Sequence, residues 1–162
     1  MEKQHVAHVI GIGALKYADL ANDLGRDYVF DWDKMLSFDG NTAPYLQNAY
    51  VRIQAIFRKG KINSKELVGQ PLLFTVLEEH ALAIKLLEFT DVVQAVATDL
   101  RPHKLCTYLF ELATKFHHFY ETCIILNAEA EPRQTRLLLS SVVANVLKTG
   151  LGLLGIHTLE YM

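Results

Sequence analysis

Apolar positions recur in a three-then-four rhythm over long stretches of this chain, and that spacing predicts helices. The clearest stripe is Leu105, Tyr108, Leu109, Leu112, Phe116, Phe119 and Tyr120, one face of a long helix whose start is marked by Arg101, Pro102 and His103. Proline suits that first turn because its missing N–H has no partner there in any case. A second long helix is predicted from about Pro132 to Gly155. Leu139, Val142, Val143, Val146, Leu147, Leu151 and Leu154 form its apolar stripe, and Arg133, Arg136 and Lys148 lie on or near other faces. Gly150 and Gly152 are expected to loosen its last turns.

Asn41, Thr42, Ala43 and Pro44 read as another helix start, continued by Leu46, Ala49, Tyr50, Ile53, Ile56 and Phe57 until Gly60 stops it. Two shorter helices fit Thr75 to Leu87 and Asp91 to Leu100, the second capped by Thr90 or Asp91. Residues 127–131 read as a polar connector. Only Tyr28 to Trp32, aromatic and β-branched after Gly25 and Asp27, reads as a short strand. The expected fold is all-α, a helical bundle with a short N-terminal extended segment. No repeat or low-complexity tract divides it, so a boundary between residues 1–38 and 39–162 is expected near Ser37 to Gly40.

Composition narrows the classes. With 162 residues, 51% of them apolar, the chain is sized for one domain with a real core. A net charge of −2 and a pI near 6.4 exclude a general nucleic-acid coating protein, so any nucleic acid must meet a local basic patch. Cys106 and Cys123 stand in no CxxC pair and at no zinc-finger spacing, and read as reduced, packed thiols. Residues 1–8 mix charge and histidine and do not read as a signal peptide, and no run approaches the roughly 18 apolar residues of a membrane helix. The expected compartment is the cytoplasm.

No catalytic constellation is legible: there is no GK(S/T) phosphate loop, no HExxH and no GxSxG elbow. Gly11-Ile12-Gly13 lacks the third glycine of a dinucleotide fingerprint and reads better as close helix packing. His117 and His118 are neighbours about 100° apart on a helix and do not converge on one metal. More informative are Arg52, Arg58, Lys59, Lys61 and Lys65, which crowd a short stretch ahead of Glu66. Helical spacing gathers Asn48, Arg52 and Lys59 on one face bordered by Tyr45, with Arg58 about a third of a turn away. A charge run of this kind is often an ordinary solvated face. Interleaved with Tyr45, Tyr50 and Tyr120, however, it is also a kit for stacking an unpaired base while cations hold the backbone.

Longer blocks are more specific. GIGALKYADL at residues 11–20 and DYVFDWDKMLSFDGNTAPYLQNAYVRI at residues 27–53 closely resemble the end of the catalytic core and the start of the anticodon-binding domain of bacterial-type arginyl-tRNA synthetases. PHKLCTYLFELA at residues 102–113, FYETC at 119–123, LLGI at 153–156 and the terminal Glu160-Tyr161-Met162 continue the resemblance. It covers nearly the whole chain from Val9, more loosely over residues 60–100. Lys34-Met35-Leu36-Ser37 lacks the second lysine of the KMSKS loop of class I synthetases and is not that motif. Two positions depart from the family: Tyr161 stands where an arginine is usual, and Asn48 where many relatives have tyrosine.

The resemblance implies a helical bundle of the class Ia anticodon-binding type that reads the anticodon loop of an arginine tRNA, chiefly its central cytosine. Arg52, Arg58, Tyr120 and Met162 fall where the family builds the pocket, with Tyr45, Asn48 and Tyr50 nearby and Arg58, Lys59 and Lys61 on phosphates. It also implies a complete, monomeric enzyme whose catalytic domain lies upstream and attaches arginine to tRNA using ATP and Mg, so that this portion alone is inactive, holds no cofactor or metal and touches no membrane. Two other readings compete: the bundle of another class I synthetase, and a stand-alone helical protein-interaction module.

Overall fold

The computed structural model describes residues 2–162 apart from Leu24, Arg26, Tyr28 and Gln70, and the side chains of these except Glu2 and Lys65. Its order is α1 (Glu2–Leu20), α2 (Trp32–Met35), α3 (Ala43–Gly60), a 3-10 turn (Ser64–Leu67), α4 (Leu77–Leu87), α5 (Phe89–Asp99), α6 (His103–Thr122) and α7 (Ala130–Leu153). No strand occurs among the described residues. The expected all-α class therefore holds, and the short strand predicted at Tyr28 to Trp32 does not form over its described residues, although Asp31 within it is extended.

Of the predicted strand, Tyr28 lies outside the described residues. Val29 is 88% exposed and has no neighbouring strand, while Asp31 turns the chain into α2 by accepting a hydrogen bond from the Lys34 N–H at 3.1 Å. An isolated extended run has no ladder to complete, and a cap residue within it favours a helical turn.

The start of α3 follows its sequence signals. Thr42 caps it, its hydroxyl oxygen accepting from the Tyr45 N–H at 3.3 Å, and Pro44 occupies the first turn. Its end does not: the helix runs through Gly60, and Lys61 takes the left-handed cap at φ 50°. Gly60 serves close approach instead, since a β-carbon there would come within 2.6 Å of Ile62 and 2.8 Å of Leu126. α4 starts at Leu77, later than Thr75, because the Glu79 carboxylate accepts from the N–H groups of Thr75 (2.5 Å) and Val76 (3.2 Å). α5 starts at Phe89, directly after the joint residue Glu88, so neither Thr90 nor Asp91 caps it; Asp91 lies in its first turn.

α3, α6 and α7 enclose the core, with α4 packed on α6 and α7, α5 on α6, and α1 on α3 and α6. Leu46, Ile53, Leu109, Leu112, Phe116, Phe119, Leu147 and Leu151 are fully buried there. Both thiols are free and buried, and burial pushes Cys106 up to about 12 and Cys123 upward, so both remain protonated. α7 is, among the described residues, the one helix long and apolar enough by length and composition to cross a membrane, but 61% of that window is buried within the fold, as in a core helix.

Gly150 of α7 acts differently from expectation. Gly150 does not loosen the helix; it is buried against α6, where a β-carbon would meet Leu109 at 2.6 Å. Gly155 ends the element with φ 69°, and the Ile156 N–H reaches back to the Leu151 carbonyl at 2.9 Å. Gly150→Ala is therefore expected to destabilise the fold by about 1–3 kcal/mol through overpacking against Leu109. Chemical denaturation checks it, and an unchanged midpoint would mean that Leu109 yields without strain.

Candidate nucleic-acid interface

α3 is the common wall of two clefts. Its inner face, including Leu46, Tyr50, Ile53 and Phe57, is buried, which leaves two polar edges along its C-terminal half. One edge presents Arg52 and Lys59, the other Gln54 and Arg58.

The first cleft, about 450 Å³, lies between Arg52 and Lys59 of α3, Tyr120 at the end of α6, and the connector from Cys123 to Asn127. Arg52 holds its guanidinium carbon 5.3 Å from the centre of the Tyr120 ring, inside the range of a cation–π contact. Behind Tyr120 stands Phe116, fully buried with ring centres 6.2 Å apart, so the tyrosine rests on a fixed base while remaining 39% exposed. The connector is held from below, because Arg136 of α7 donates to the Ile124 carbonyl at 2.7 Å. This cleft carries two cations and no lining acid, the local patch that a chain of net charge −2 requires.

Tyr45 joins this side through His117. Its hydroxyl lies 2.9 Å from His117 Nδ1 and its ring meets the imidazole edge-on at 4.7 Å. Burial pushes the imidazole pKa down and the nearby Arg52 charge pushes it further, against Glu121, so His117 is the neutral form at pH 7. Tyr45 therefore braces α3 against α6. Asn48, half-buried, stands one turn before Arg52. His118 is exposed, with Nε2 3.8 Å from Glu78.

The second cleft, about 600 Å³, is on the opposite side of α3, against α7 and the terminal tail. Here Arg58 lies 4.1 Å from the centre of the Tyr161 ring and donates from Nη1 to the Glu160 carbonyl at 2.9 Å. Tyr50 is only 3% exposed and donates to the Glu160 carboxylate at 3.2 Å, so it anchors the tail and offers no face to a base. Burial and the Glu160 charge both raise its pKa. Met162, 42% exposed, follows Tyr161 and does not line the first cleft. The residues implied by the sequence are thus divided: Arg52, Lys59 and Tyr120 converge, while Arg58 and Tyr50 belong to the tail side. Lys61 lines that side too, and the side chain of Lys65 lies outside the described residues.

A third hollow of about 390 Å³, between α1 and α2, mixes Asp27, Asp31 and Lys34 and does not suit phosphate. Beside it Phe30 and Trp32 are about half exposed, whereas Met35 is buried. Among the described residues no His, Cys, Asp and Glu side chains cluster as metal ligands.

The sequence profile of the DALR anticodon binding domain matches residues 46–162, a span that holds both clefts. The chain belongs to the DALR anticodon-binding domain family. Arginine–tRNA ligases carry this domain among the relatives: that of Haemophilus influenzae (strain PittEE) is 55% identical over 162 residues, covering 99% of this chain and 28% of that protein. That of Cellvibrio japonicus (strain Ueda107) is 51% identical over 159 residues, covering 97% and 27%. The chain thus spans a little over a quarter of the curated relatives it matches. Among solved structures, the Thermus thermophilus arginyl-tRNA synthetase superposes with a TM-score of 0.91 at 32% identity over 99% of this chain and 28% of that one. The Plasmodium falciparum arginyl-tRNA synthetase gives 0.89 at 34%, over 98% and 28%. The arginyl-tRNA synthetase resemblance stands, and the two competing readings fall away.

Proposed function

We propose that this DALR domain binds the anticodon loop of an arginine tRNA as part of an arginine–tRNA ligase, with the first cleft taking the central cytosine. The carrying observation is the Arg52 guanidinium set over the exposed Tyr120 ring in a cleft without acids. Unpaired RNA bases stack on aromatic rings and on guanidinium planes, and both surfaces are preassembled here. Lys59 supplies phosphate charge, which positions a loop without reading it. Reading falls to the connector, where peptide groups and the Asn127 amide face a base whose edge offers an amino donor beside acceptors.

Residues 39–162 form the RNA-binding unit in this reading, and residues 1–38 bridge to the catalytic part of a longer, monomeric, cytoplasmic enzyme. That enzyme attaches arginine using ATP and Mg, for which this domain supplies no groups.

Titration with an arginine-tRNA anticodon stem-loop, and with a loop carrying guanosine at the central position, tests the assignment at two salt concentrations. The cytosine loop is expected to bind better, and Tyr120→Ala to weaken it by about 1–3 kcal/mol. Equal binding of both loops, unaffected by Tyr120→Ala, would defeat it.

A further inference from the structure

The two walls of the first cleft belong to different helices, Arg52 to α3 and Tyr120 to α6, and a polar contact ties those helices together beside it. Tyr45 stands two turns before Arg52, and His117 one turn before Tyr120, so each shares a side of its helix with the wall residue it precedes. Their contact, 2.9 Å from hydroxyl to Nδ1, opens a short relay. The Tyr45 hydroxyl also lies 3.4 Å from that of Thr114, and Thr114 donates its own proton to the Phe110 carbonyl at 2.9 Å. With that proton committed, Thr114 accepts from Tyr45, Tyr45 accepts from His117, and the network assigns the imidazole proton to Nδ1.

Nε2 keeps a bare lone pair, buried and without a hydrogen-bond partner. A second proton there would make an enclosed imidazolium N–H with nothing to accept from it. The charged and titratable groups that act on the ring are Tyr45 and Arg52 from α3 and Glu121 from its own helix. Burial opposes the added charge most, Arg52 opposes it as well, and Glu121 favours it.

Taking its ligand from the anticodon-loop reading, we propose that His117 is a positioning residue of the first cleft: the neutral ring holds the Arg52 and Tyr120 walls in register, and a proton taken up at Nε2 parts them and releases the RNA. The imidazolium turns out of its seat, which breaks the bond to Tyr45, and its charge pushes Arg52 off the Tyr120 ring. RNA does not rescue that charge, because phosphate is met at the open side by Arg52 and Lys59 while Nε2 is enclosed. The sign of the effect is diagnostic. Acid neutralises surface carboxylates and makes the chain more positive, which by itself tightens RNA binding; this site is expected to loosen it. The ring is held below the ordinary histidine value of 6.5, so the folded chain takes up the proton, and affinity falls, only below that pH.

The test titrates the unaltered chain, His117→Asn and His118→Gln with the anticodon stem-loop from about pH 7.5 to about pH 5. NMR of the His117 ring and of the Arg52 Nε–H, without RNA, accompanies it. Affinity of the unaltered chain is expected to fall with a one-proton slope, approaching about tenfold per pH unit, at the midpoint of the ring's own titration. The Arg52 signal, displaced by the Tyr120 ring, should move with the same midpoint. His117→Asn can still meet the Tyr45 hydroxyl but takes up no proton; it is expected to bind more weakly at neutral pH and to lose the fall in acid. His118→Gln, at an exposed position outside the relay, keeps that fall. A ring that stays neutral until the chain unfolds, an Arg52 signal that does not follow it, or an acid fall that persists in His117→Asn overturns the proposal. If His117→Asn does not fold, the two NMR signals of the unaltered chain decide. Absence of RNA binding at neutral pH defeats the anticodon-loop reading instead, and the same two signals still decide whether His117 sets the register of the walls.

Discussion

Arg136→Met is expected to lower the stability of the fold by about 3–5 kcal/mol, read as a fall in the urea midpoint at pH 7. Arg136 donates from Nε to Glu79 at 2.7 Å, from Nη1 to the Ile124 carbonyl at 2.7 Å and from Nη2 to the Thr75 hydroxyl at 3.3 Å. The Glu79 side chain is wholly buried and that of Arg136 is 12% exposed. Methionine fills comparable space but leaves the carboxylate charged, buried and without its cation. Losing one partner of such a pair costs more than the pair contributes, since the residual charge is no longer compensated.

The same pair fixes a pH dependence. Burial by itself raises the Glu79 pKa, but the Arg136 hydrogen bond and the N–H groups of Thr75 and Val76 outweigh it and hold the carboxyl below its ordinary value of 4.5. A depressed folded pKa means that the contribution is complete above the unfolded value and is lost as pH falls through the folded one. The Glu79 contribution should therefore be lost only on acidification below about 4.5. Without Arg136 the burial effect has lost its main opponent, so Arg136→Met should gain stability on mild acidification as Glu79 takes up a proton. A variant as stable as the parent at pH 7, with the same acid limb, would show that the pair is not a source of stability.

Phe116→Ala is expected to cost about 3–5 kcal/mol, on the order of 10 °C in Tm for a chain of this length. Phe116 is fully buried, with ring centres 6.2 Å from Phe119 and Tyr120 and 6.1 Å from His117. Truncation opens a void directly behind the ring proposed to stack on the RNA. Stem-loop affinity should then fall too, at a temperature where calorimetry shows the variant still folded. A loss under 1 kcal/mol would mean that α3 and α6 collapse into the space.

The parts of the fold legible in the sequence are those where large apolar side chains repeat with the helical period. α3, α6 and α7 have such stripes, and their caps are spelled by Thr42 and Pro44 at one start and Gly155 at one end. α1 was missed because its buried face is made by Val9, Gly13, Ala14 and Tyr17, mostly small residues that write no strong stripe. Only Gly13 of the GxG pair serves close packing: a β-carbon there would meet Gln47 at 3.0 Å and Ile156 at 3.2 Å, whereas Gly11 faces open space. The strand expected at Tyr28 to Trp32 failed because local preference carries no information about a pairing partner.

The site was legible in the same uneven way. That Arg58 departs from the Arg52 and Lys59 face follows from helical geometry alone, and the structure puts it in a different cleft. That Tyr50 is buried, and that Tyr161 is fixed on the rim of a cleft, depends on where a tail more than 100 positions away returns to α3. No local pattern encodes such a closure. Tyr161 was singled out only as a departure from a family habit, and its role as the cover of Arg58 is a tertiary property.

The return of that tail also brings it against α1 and the start of α3. Lys16 of α1 donates to the Gly155 carbonyl at 2.7 Å, and Gln47, wholly buried against Gly13, donates to the His157 carbonyl at 2.8 Å. Both bonds end on backbone carbonyls just after α7, so the course of the tail is fixed by side chains of α1 and α3. The tail that carries Tyr161 is thus held to α1 directly through Lys16 and to α3 through Gln47, so where the rim of the second cleft stands is set by both helices at once.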